Sequence, residues 1–335
     1  MPGYALLSRV FFPIHNSAFS IFMTTFRQDE QLKILGDRVL EATWAEFPSL
    51  ARNSIALTWI VYDPPVPVNT GGALSPEAFW NYQVRGYNYR GVDRIYPASI
   101  VKLFYLVAIH EWLEKGMVST SPELERAMRD TIVDSSNDAT SLVVDVLTGT
   151  TSGPELSPGP FETWKSQRNI VNRYFQSLGW AEMETINVNQ KTWCDGPYGR
   201  ERAFLGELMD NRNMLTTNAT ARLLHSIVGG VAVSSARSQT MMALLNRSLN
   251  PDDITTDSEE NQVTGFLGGG LPQEAKLWSK AGWTSQVRHD AAYIELSDRR
   301  PYLLVVFTEG RANSQNRAIL PFVSQQIATA VSTLE

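Results

Sequence analysis

The chain has 335 residues, of which 43% are hydrophobic and 19% are charged, and its formal net charge is -6 at pH 7. This length exceeds one ordinary core, so it predicts two domains or one large domain with two lobes. The negative charge argues against nucleic acid as the main partner. No apolar run is long enough to predict a membrane span. The single cysteine, Cys194, excludes an intrachain disulfide.

In chain order, strand patterns stand at both ends of the sequence. Apolar spacing predicts a helix over 28–47, and β-branched and aromatic residues predict strands over 54–62 and 79–89. Three more strand patterns follow late in the chain, over 275–283, 289–296 and 301–308. A final helix is predicted over 316–333.

Helices fill the middle of the chain. They are predicted over 97–116, 122–133, 138–147, 167–178, 216–228 and 234–249. Residues 148–162 are rich in Thr, Ser, Gly and Pro and predict a surface loop, and 187–202 predicts a long irregular loop.

The simplest assembly of these elements is an α/β fold of the α+β type. The first and last strands would pair in one antiparallel sheet, flanked by the terminal helices, with an all-helical lobe inserted. We therefore predict a poorly ordered extension over 1–27, a sheet lobe from 28–98 and 215–335, and a helical lobe over 99–214. The active site would lie between the two lobes.

The helix predicted to start near Pro97 carries the first candidate site. It is apolar on nearly all sides, which predicts burial, yet Lys102 lies within it. Ser99 stands three residues earlier and therefore on the same face. A buried lysine is costly unless its pKa shifts or its charge is used, and a serine beside a potential base is what a serine nucleophile needs. The alternative is a capping serine and a lysine that reaches the surface.

Two further short motifs follow in order. Ser135-Ser136-Asn137 comes after a predicted helix, and Lys280-Ala281-Gly282 lies in a predicted strand. Each motif alone occurs readily by chance. Ser135 and Asn137 could each be a helix cap, and Lys280 could be an ordinary lysine on a strand face.

The ordered set of three motifs resembles the penicillin-recognising serine enzymes, specifically class A β-lactamases and their relatives. The resemblance spans about residues 30–335 and includes the Tyr96-Pro97-Ala98 lead-in and the run from Trp283 to Ala292. It implies the β-lactamase/transpeptidase-like fold and a serine hydrolase that works through an acyl-enzyme.

The resemblance also implies a role for each residue of the reaction. Ser99 would attack a carbonyl, Lys102 would accept the serine proton, and Ser135 would pass a proton to the leaving group. The backbone N–H groups of Ser99 and Trp283 would form the oxyanion hole.

Other residues would bind the substrate. Lys280 and Gly282 would flank it, with Lys280 holding both Ser135 and a substrate carboxylate. Asn137 would bind the amide side chain of the substrate. Arg288 is a candidate second anchor for the carboxylate, although a surface ion pair is the alternative reading.

The sequence departs from this family in three ways. Ala281 stands where a hydroxyl residue is usual, and the segment between Ser99 and Ser135 is short, which predicts a more open cleft. The loop over 187–202 lacks a clear equivalent of the glutamate that activates the deacylating water, and Asp195 and Glu201 are the nearest carboxylates. Acylation would then be possible while release of the acyl group would be slow.

We therefore predict a serine hydrolase acting on an amide, lactam or ester bond of a small molecule or peptide that bears a carboxylate. A D-alanyl-D-alanine carboxypeptidase and a penicillin-binding or sensor module without turnover are the alternatives. We expect no cofactor and no metal, because the four histidines are scattered and His110-Glu111 lacks the second histidine of a zinc-protease helix. The resemblance suggests a periplasmic or secreted protein, but the sequence carries no clear export signal.

Overall fold

The computed structural model describes residues 24–63, 74–253 and 261–334. Within these ranges, seven strands form one sheet in the order β1-β3-β2-β7-β6-β5-β4. The strands are β1 (Phe26–Gln28), β2 (Ile55–Val61), β3 (Val84–Tyr89), β4 (Asn246–Arg247), β5 (Lys276–Trp283), β6 (Val287–Glu295) and β7 (Tyr302–Glu309). The helices are α1 (Glu30–Glu46), α2 (Pro76–Asn81), α3 (Val101–Glu114), α4 (Pro122–Ile132), α5 (Asn137–Thr148), α6 (Pro158–Arg168), α7 (Ile170–Ser177), α8 (Gly199–Leu205), α9 (Thr217–Val228), α10 (Ser235–Leu245), α11 (Arg311–Gln315) and α12 (Ile319–Val331).

The first long strand pairs with the last one, as predicted. β2 is buried at every position, and it pairs antiparallel with β7 along its whole length. Its β-branched and aromatic residues suit a strand that is covered on both faces. β5, β6 and β7 follow as an antiparallel meander, which places the Lys280 strand β5 between β6 and the short edge strand β4.

Helices cover both faces of the sheet. One core cluster lies between the sheet and the terminal helices and includes Leu32, Trp59 and Ile327. The other contains α3, whose Phe104 and Leu103 are fully buried. This burial confirms the prediction from the apolar sequence of α3. In the described ranges no helix is long and apolar enough to cross a membrane.

Several predicted boundaries are wrong: the loop expected over 187–202 ends in α8, and the helix expected over 234–249 ends at Leu245, where β4 begins. The strand expected over 79–89 is a helix in its first part, because Ser75 caps α2 by accepting a hydrogen bond from the Ala78 N–H at 3.2 Å. The loop expected over 148–162 ends early, because Pro158 occupies the first turn of α6.

The predicted extension over 1–27 also needs correction at its end. Phe26–Gln28 forms β1 and pairs parallel with β3, which ties this segment to the sheet edge. The part of the extension over 1–23 lies outside the described residues. The division of the chain into a sheet lobe and a helical lobe remains a prediction.

Candidate active site

Ser99 lies on a tight turn at the start of α3. Residues Ala98–Ile100 form a 3₁₀ turn that runs directly into the helix, so the predicted helix starts one turn later than expected. Ala98 has φ +45°, a left-handed conformation that a residue with a side chain rarely adopts. Such strain is often found at functional sites, where the surrounding structure holds it in place.

A buried histidine fixes the chain just before this turn. The Thr308 N–H donates to His289 Nδ1 at 3.1 Å, so Nδ1 carries no proton. The proton is therefore on Nε2, which donates to the Tyr96 carbonyl oxygen at 2.9 Å. Burial lowers the pKa of His289 to about 4, so the ring is neutral near pH 7. β6 thereby holds the segment that carries Ser99.

Lys102 lies one helical turn beyond Ser99 and is fully buried. Its Nζ donates to the Ser135 carbonyl oxygen, to Ser135 Oγ at 3.3 Å and to Asn137 Oδ1 at 2.9 Å. Burial lowers the pKa of Lys102 to about 7, against a small opposing effect from Cys194. The lysine can therefore exist as a neutral amine near pH 7, as a proton acceptor must.

Ser135 is not the cap of the helix that follows it. The neighbouring Ser136 caps α5, accepting from the Ala139 N–H at 3.1 Å. Ser135 itself has φ +55°, so the backbone turns sharply there and its hydroxyl lies between two lysines. The helix-cap reading of Ser135 therefore does not hold.

Lys280 is the second lysine at this hydroxyl. Its Nζ donates to Ser135 Oγ at 2.9 Å, to Gln262 Oε1 at 2.6 Å and to the Ala281 carbonyl oxygen at 2.8 Å. Complete burial lowers its pKa well below the usual value, and the nearby Lys102 adds to this effect. Two lysines with lowered pKa values thus converge on one serine.

Gln262 and Arg247 support this arrangement, and the motif analysis missed both. The Gln262 amide donates to the carbonyl oxygens of Ile132 and Val133, at the end of α4. Arg247 donates to the same two carbonyls and to the Ser279 carbonyl oxygen on β5. The two side chains therefore connect the segment leading to Ser135 with the Lys280 strand.

Gly282 brings the end of β5 against the Ser99 turn. A Cβ atom added to Gly282 would lie 2.8 Å from the Pro97 carbonyl oxygen and 3.0 Å from the Ser99 backbone nitrogen. Thr284 forms a hydrogen-bonded pair with Val287. Because bonded and non-bonded pairs alternate in an antiparallel ladder, the Trp283 N–H points away from β6. The end of β5 that carries Trp283 therefore lies against the backbone of Ser99.

Replacing Gly282 with alanine should disturb Ser99 directly. The new methyl group would push against backbone atoms that cannot rotate away, so we expect a loss of about 1–3 kcal/mol in the free energy of unfolding. We also expect slower acylation of Ser99 in the folded variant. Gly159→Ala is the matched control, because no atom lies within 4 Å of its added Cβ. Denaturant unfolding and acylation rates measure both effects, and equal stability of the two variants would contradict the close approach.

Asn137 lies beside Lys102, and its other end faces the irregular loop. Asn137 Nδ2 donates to Cys194 Sγ at 3.2 Å, while Oδ1 accepts from Lys102. Cys194 and Asp195 are exposed, so this part of the loop borders the open side of the site. Asp195 therefore lies next in sequence to a residue that contacts Asn137.

Glu201 belongs to a separate buried ion cluster. Its Oε1 accepts from Arg168 Nη2 at 2.6 Å and from the Ser152 hydroxyl at 2.8 Å. Lys191 pairs with Asp145 at 2.7 Å in the same cluster and lies 4.0 Å from Glu201. These contacts fasten the irregular loop to α5 and α6 and explain the burial of Glu201 without a catalytic role.

Arg288 lies beside Trp283 but turns toward the backbone. Its Nε donates to the Ser314 carbonyl oxygen at 2.7 Å, and Nη1 lies 3.4 Å from the Gly265 carbonyl oxygen. The guanidinium lies over the rings of Phe266 and Trp283. Arg288 thus has a packed position and forms no ion pair with any residue that the structure describes.

The assembled residues form a site suited to acyl transfer. Lys102, Ser135, Asn137 and Lys280 are joined by hydrogen bonds, and Gly282 places the strand against Ser99. Among the described residues, no cluster of three or more His, Cys, Asp or Glu side chains is arranged to hold a metal ion.

Comparison with solved structures gives the same fold. A beta-lactamase from Sphaerobacter thermophilus aligns at 18% identity with a TM-score of 0.58, covering 89% of this chain and 98% of its own. A mutant of PBP-A, solved as the acyl-enzyme complex with penicillin G, aligns at 16% identity with a TM-score of 0.62, covering 92% and 98%. A class A beta-lactamase described as the last common ancestor of Gram-negative bacteria aligns at 17% identity with a TM-score of 0.55, covering 88% and 98%.

No curated protein matches the sequence. Residues 113–331 match the beta-lactamase enzyme family, a range that includes Ser135 and Lys280 and begins after Ser99 and Lys102. The matched range is more than half of the chain. The fold, the order of the motifs and this match lead to one conclusion: the chain belongs to the beta-lactamase enzyme family.

Proposed function

We propose that this protein is a serine hydrolase that forms an acyl-enzyme on Ser99 with an amide, lactam or ester substrate and releases the acyl group slowly. The observation that carries the proposal is the position of Ser135 Oγ, 2.9 Å from Lys280 Nζ and 3.3 Å from Lys102 Nζ. A hydroxyl between two amines of lowered pKa is a route for protons between nucleophile and leaving group.

In the proposed first step, acylation of Ser99, every proton that leaves one group is taken up by another. Ser99 Oγ forms a bond to the substrate carbonyl carbon while its proton passes to the Lys102 amine. The bond to the leaving nitrogen or oxygen then breaks, and the leaving group takes the Ser135 hydroxyl proton. The Lys102 ammonium restores that proton, so the lysine returns to its amine form. The N–H groups of Ser99 and Trp283 would bind the charge that develops on the carbonyl oxygen.

The second step, attack of water on the acyl-enzyme, lacks a dedicated carboxylate base beside Lys102, Ser135 and Lys280. Among the described residues, the hydrogen-bond partners of Lys102 and Lys280 are neutral hydroxyl, amide and carbonyl groups, and those of Ser135 Oγ are the two lysines, so none is a carboxylate. A positioned general base typically contributes ~10²–10⁴-fold in rate. Slow release favours a second candidate as well, a penicillin-binding or sensor module that is acylated without turnover.

Covalent labelling tests this proposal. The protein is incubated with a fluorescent penicillin and, separately, with an activated neutral aryl ester, and the adduct is followed by intact-protein mass spectrometry. We expect an adduct on Ser99 that persists after the free reagent is removed and is absent in Ser99→Ala. Rapid loss of the adduct would contradict slow release. Absence of any adduct in the folded wild-type protein would refute acylation at Ser99.

A further inference from the structure

The N–H groups of Lys280 are fully engaged within the protein. An ammonium has three N–H donors, and Lys280 has three oxygen partners, Ser135 Oγ, Gln262 Oε1 and the Ala281 carbonyl, at 2.6–2.9 Å. If the lysine is instead a neutral amine, it has no charge with which to attract an anion. In either protonation state, Lys280 offers little to a substrate carboxylate.

Gln262 is the side chain that holds one of the Lys280 N–H groups in a fixed contact. It is buried, and both ends of its amide are used: Oε1 accepts from Lys280, and Nε2 donates to the Ile132 and Val133 carbonyls. Because Nε2 is held in this way, Oε1 stays directed at Lys280. A substrate carboxylate would have to displace one of the three contacts of Lys280, of which the contact with Gln262 is the shortest.

The neighbouring groups do not replace what Lys280 lacks. Arg288 directs Nε and Nη1 at the backbone carbonyls of Ser314 and Gly265. Ala281 has no hydroxyl, and its side chain packs into the core cluster between the sheet and the terminal helices. Arg247 is bonded to carbonyls of α4 and β5. Among the described residues, an anion entering beside Gly282 would therefore lose water without gaining a free donor from Lys280 or Arg247, which is costly.

From these contacts we infer that the Ser99 site selects acyl donors that are uncharged next to the bond that breaks, such as neutral esters and amides, over those with a carboxylate there. This inference rests on the proposed acylation of Ser99. It identifies Gln262 as a residue that sets specificity by occupying the Lys280 donor. The substrate bearing a carboxylate that the sequence predicted is then the disfavoured one.

A matched pair of substrates tests the inference. Both are phenylacetyl esters of 3-hydroxybenzoate, one with a free carboxylate and the other as the methyl ester, so the acyl group is identical. In each, the phenylacetyl group moves to Ser99 Oγ and the phenol leaves with a proton. Rates of phenol release are corrected for the uncatalysed hydrolysis of each ester. We expect kcat/KM for the neutral ester to exceed that of the carboxylate ester by about tenfold or more. The reason is that a carboxylate left unpaired in the site loses its hydrogen bonds to water, and the loss of one such bond corresponds to about a tenfold change.

The variant Gln262→Ala gives an independent readout. It frees one N–H of Lys280, so the preference for the neutral ester should fall by about tenfold, chiefly through faster reaction of the carboxylate. A purely structural role of Gln262 would slow both esters equally. Gln325→Ala, an exposed glutamine on α12, is the control for the substitution itself, and thermal melts report folding of both variants.

The outcomes distinguish failure of this inference from failure of the proposed acylation of Ser99. The inference is supported if the neutral ester reacts faster in the wild type and if the difference between the two esters is smaller in Gln262→Ala. Equal or faster reaction of the carboxylate in the wild type overturns it while leaving acylation intact, whatever the fate of the variant. An unchanged preference in folded Gln262→Ala refutes the role of Gln262. If neither ester acylates Ser99, the proposed function itself is refuted and the inference falls with it.

Discussion

Replacing Lys102 with methionine should slow acylation of Ser99 by ~10²–10⁴-fold, the contribution expected of a general base. Methionine has a similar length and suits the buried surroundings of α3, so the fold should survive the change. The wild-type rate of acylation should rise with pH through about 7 and then level off, because burial lowers the pKa of Lys102 to about 7 and only the amine accepts a proton. In Lys102→Met this rise should disappear. Stopped-flow measurement of acylation between pH 5 and 9 measures both effects.

Lys276→Met is the matched control for that experiment. Lys276 lies on the same strand as Lys280, but its side chain is exposed and pairs with Glu295 at 3.4 Å. We expect the control to keep the wild-type rate and pH profile. An equally steep pH dependence in Lys102→Met would show that another group takes the proton of Ser99.

Replacing Glu201 with glutamine should lower the free energy of unfolding by about 3 kcal/mol, as is typical when one partner of a buried ion pair is removed. Arg168 and Glu201 are both completely buried, at 2.6 Å from each other. Without the Glu201 charge, Asp145 would be the one counter-ion left to Arg168 and Lys191 among the residues that the structure describes. Urea unfolding of the wild type and the variant measures the difference.

Glu41→Gln provides the comparison. Glu41 pairs with Arg52 at 2.8 Å, but about 60% of each side chain is exposed, so its loss should cost within about 0.5 kcal/mol. The same Glu201 variant also tests the sequence-based hypothesis that Glu201 activates the deacylating water. A stable Glu201→Gln protein that retains its acyl group much longer than the wild type would support that catalytic role against the structural one.

The sequence predicted the fold well where each element has its own strong pattern. The continuous apolar run in α3 and the β-branched runs of β2 and β7 indicate burial directly, and all three elements are present in the structure. The start of α2 was missed because its signal is a single capping serine, Ser75, ahead of a proline. Capping residues determine where a helix begins, and the spacing of apolar residues carries no information about them.

Within the candidate site, only the residues that belong to short sequence motifs could be predicted. Lys102 could be predicted because its spacing of three residues places it on the same helix face as Ser99. Ser135 and Lys280 could be predicted because each belongs to a short motif, and in the structure their side chains are hydrogen-bonded to each other, with Lys102 also bonded to Ser135. Gln262 was missed because no spacing rule links it to Lys280, 18 positions later; the contact depends on how the chain between them folds. Glu201 looked like a candidate base because the sequence does not show Arg168, its partner from another helix.

Two of the residues in the left-handed conformation, Ala98 and Ser135, favour reactivity at the expense of stability. Each holds a conformation that costs about 1–2 kcal/mol for a residue with a side chain, and each stands immediately beside or at a reacting serine. Glycine at either position would relax the backbone and favour the folded state. At position 98 it would also free the turn that carries Ser99, and at position 135 it would remove the hydroxyl that lies between Lys102 and Lys280. Substitutions selected only for a higher melting temperature should therefore collect at these turns and erode acylation.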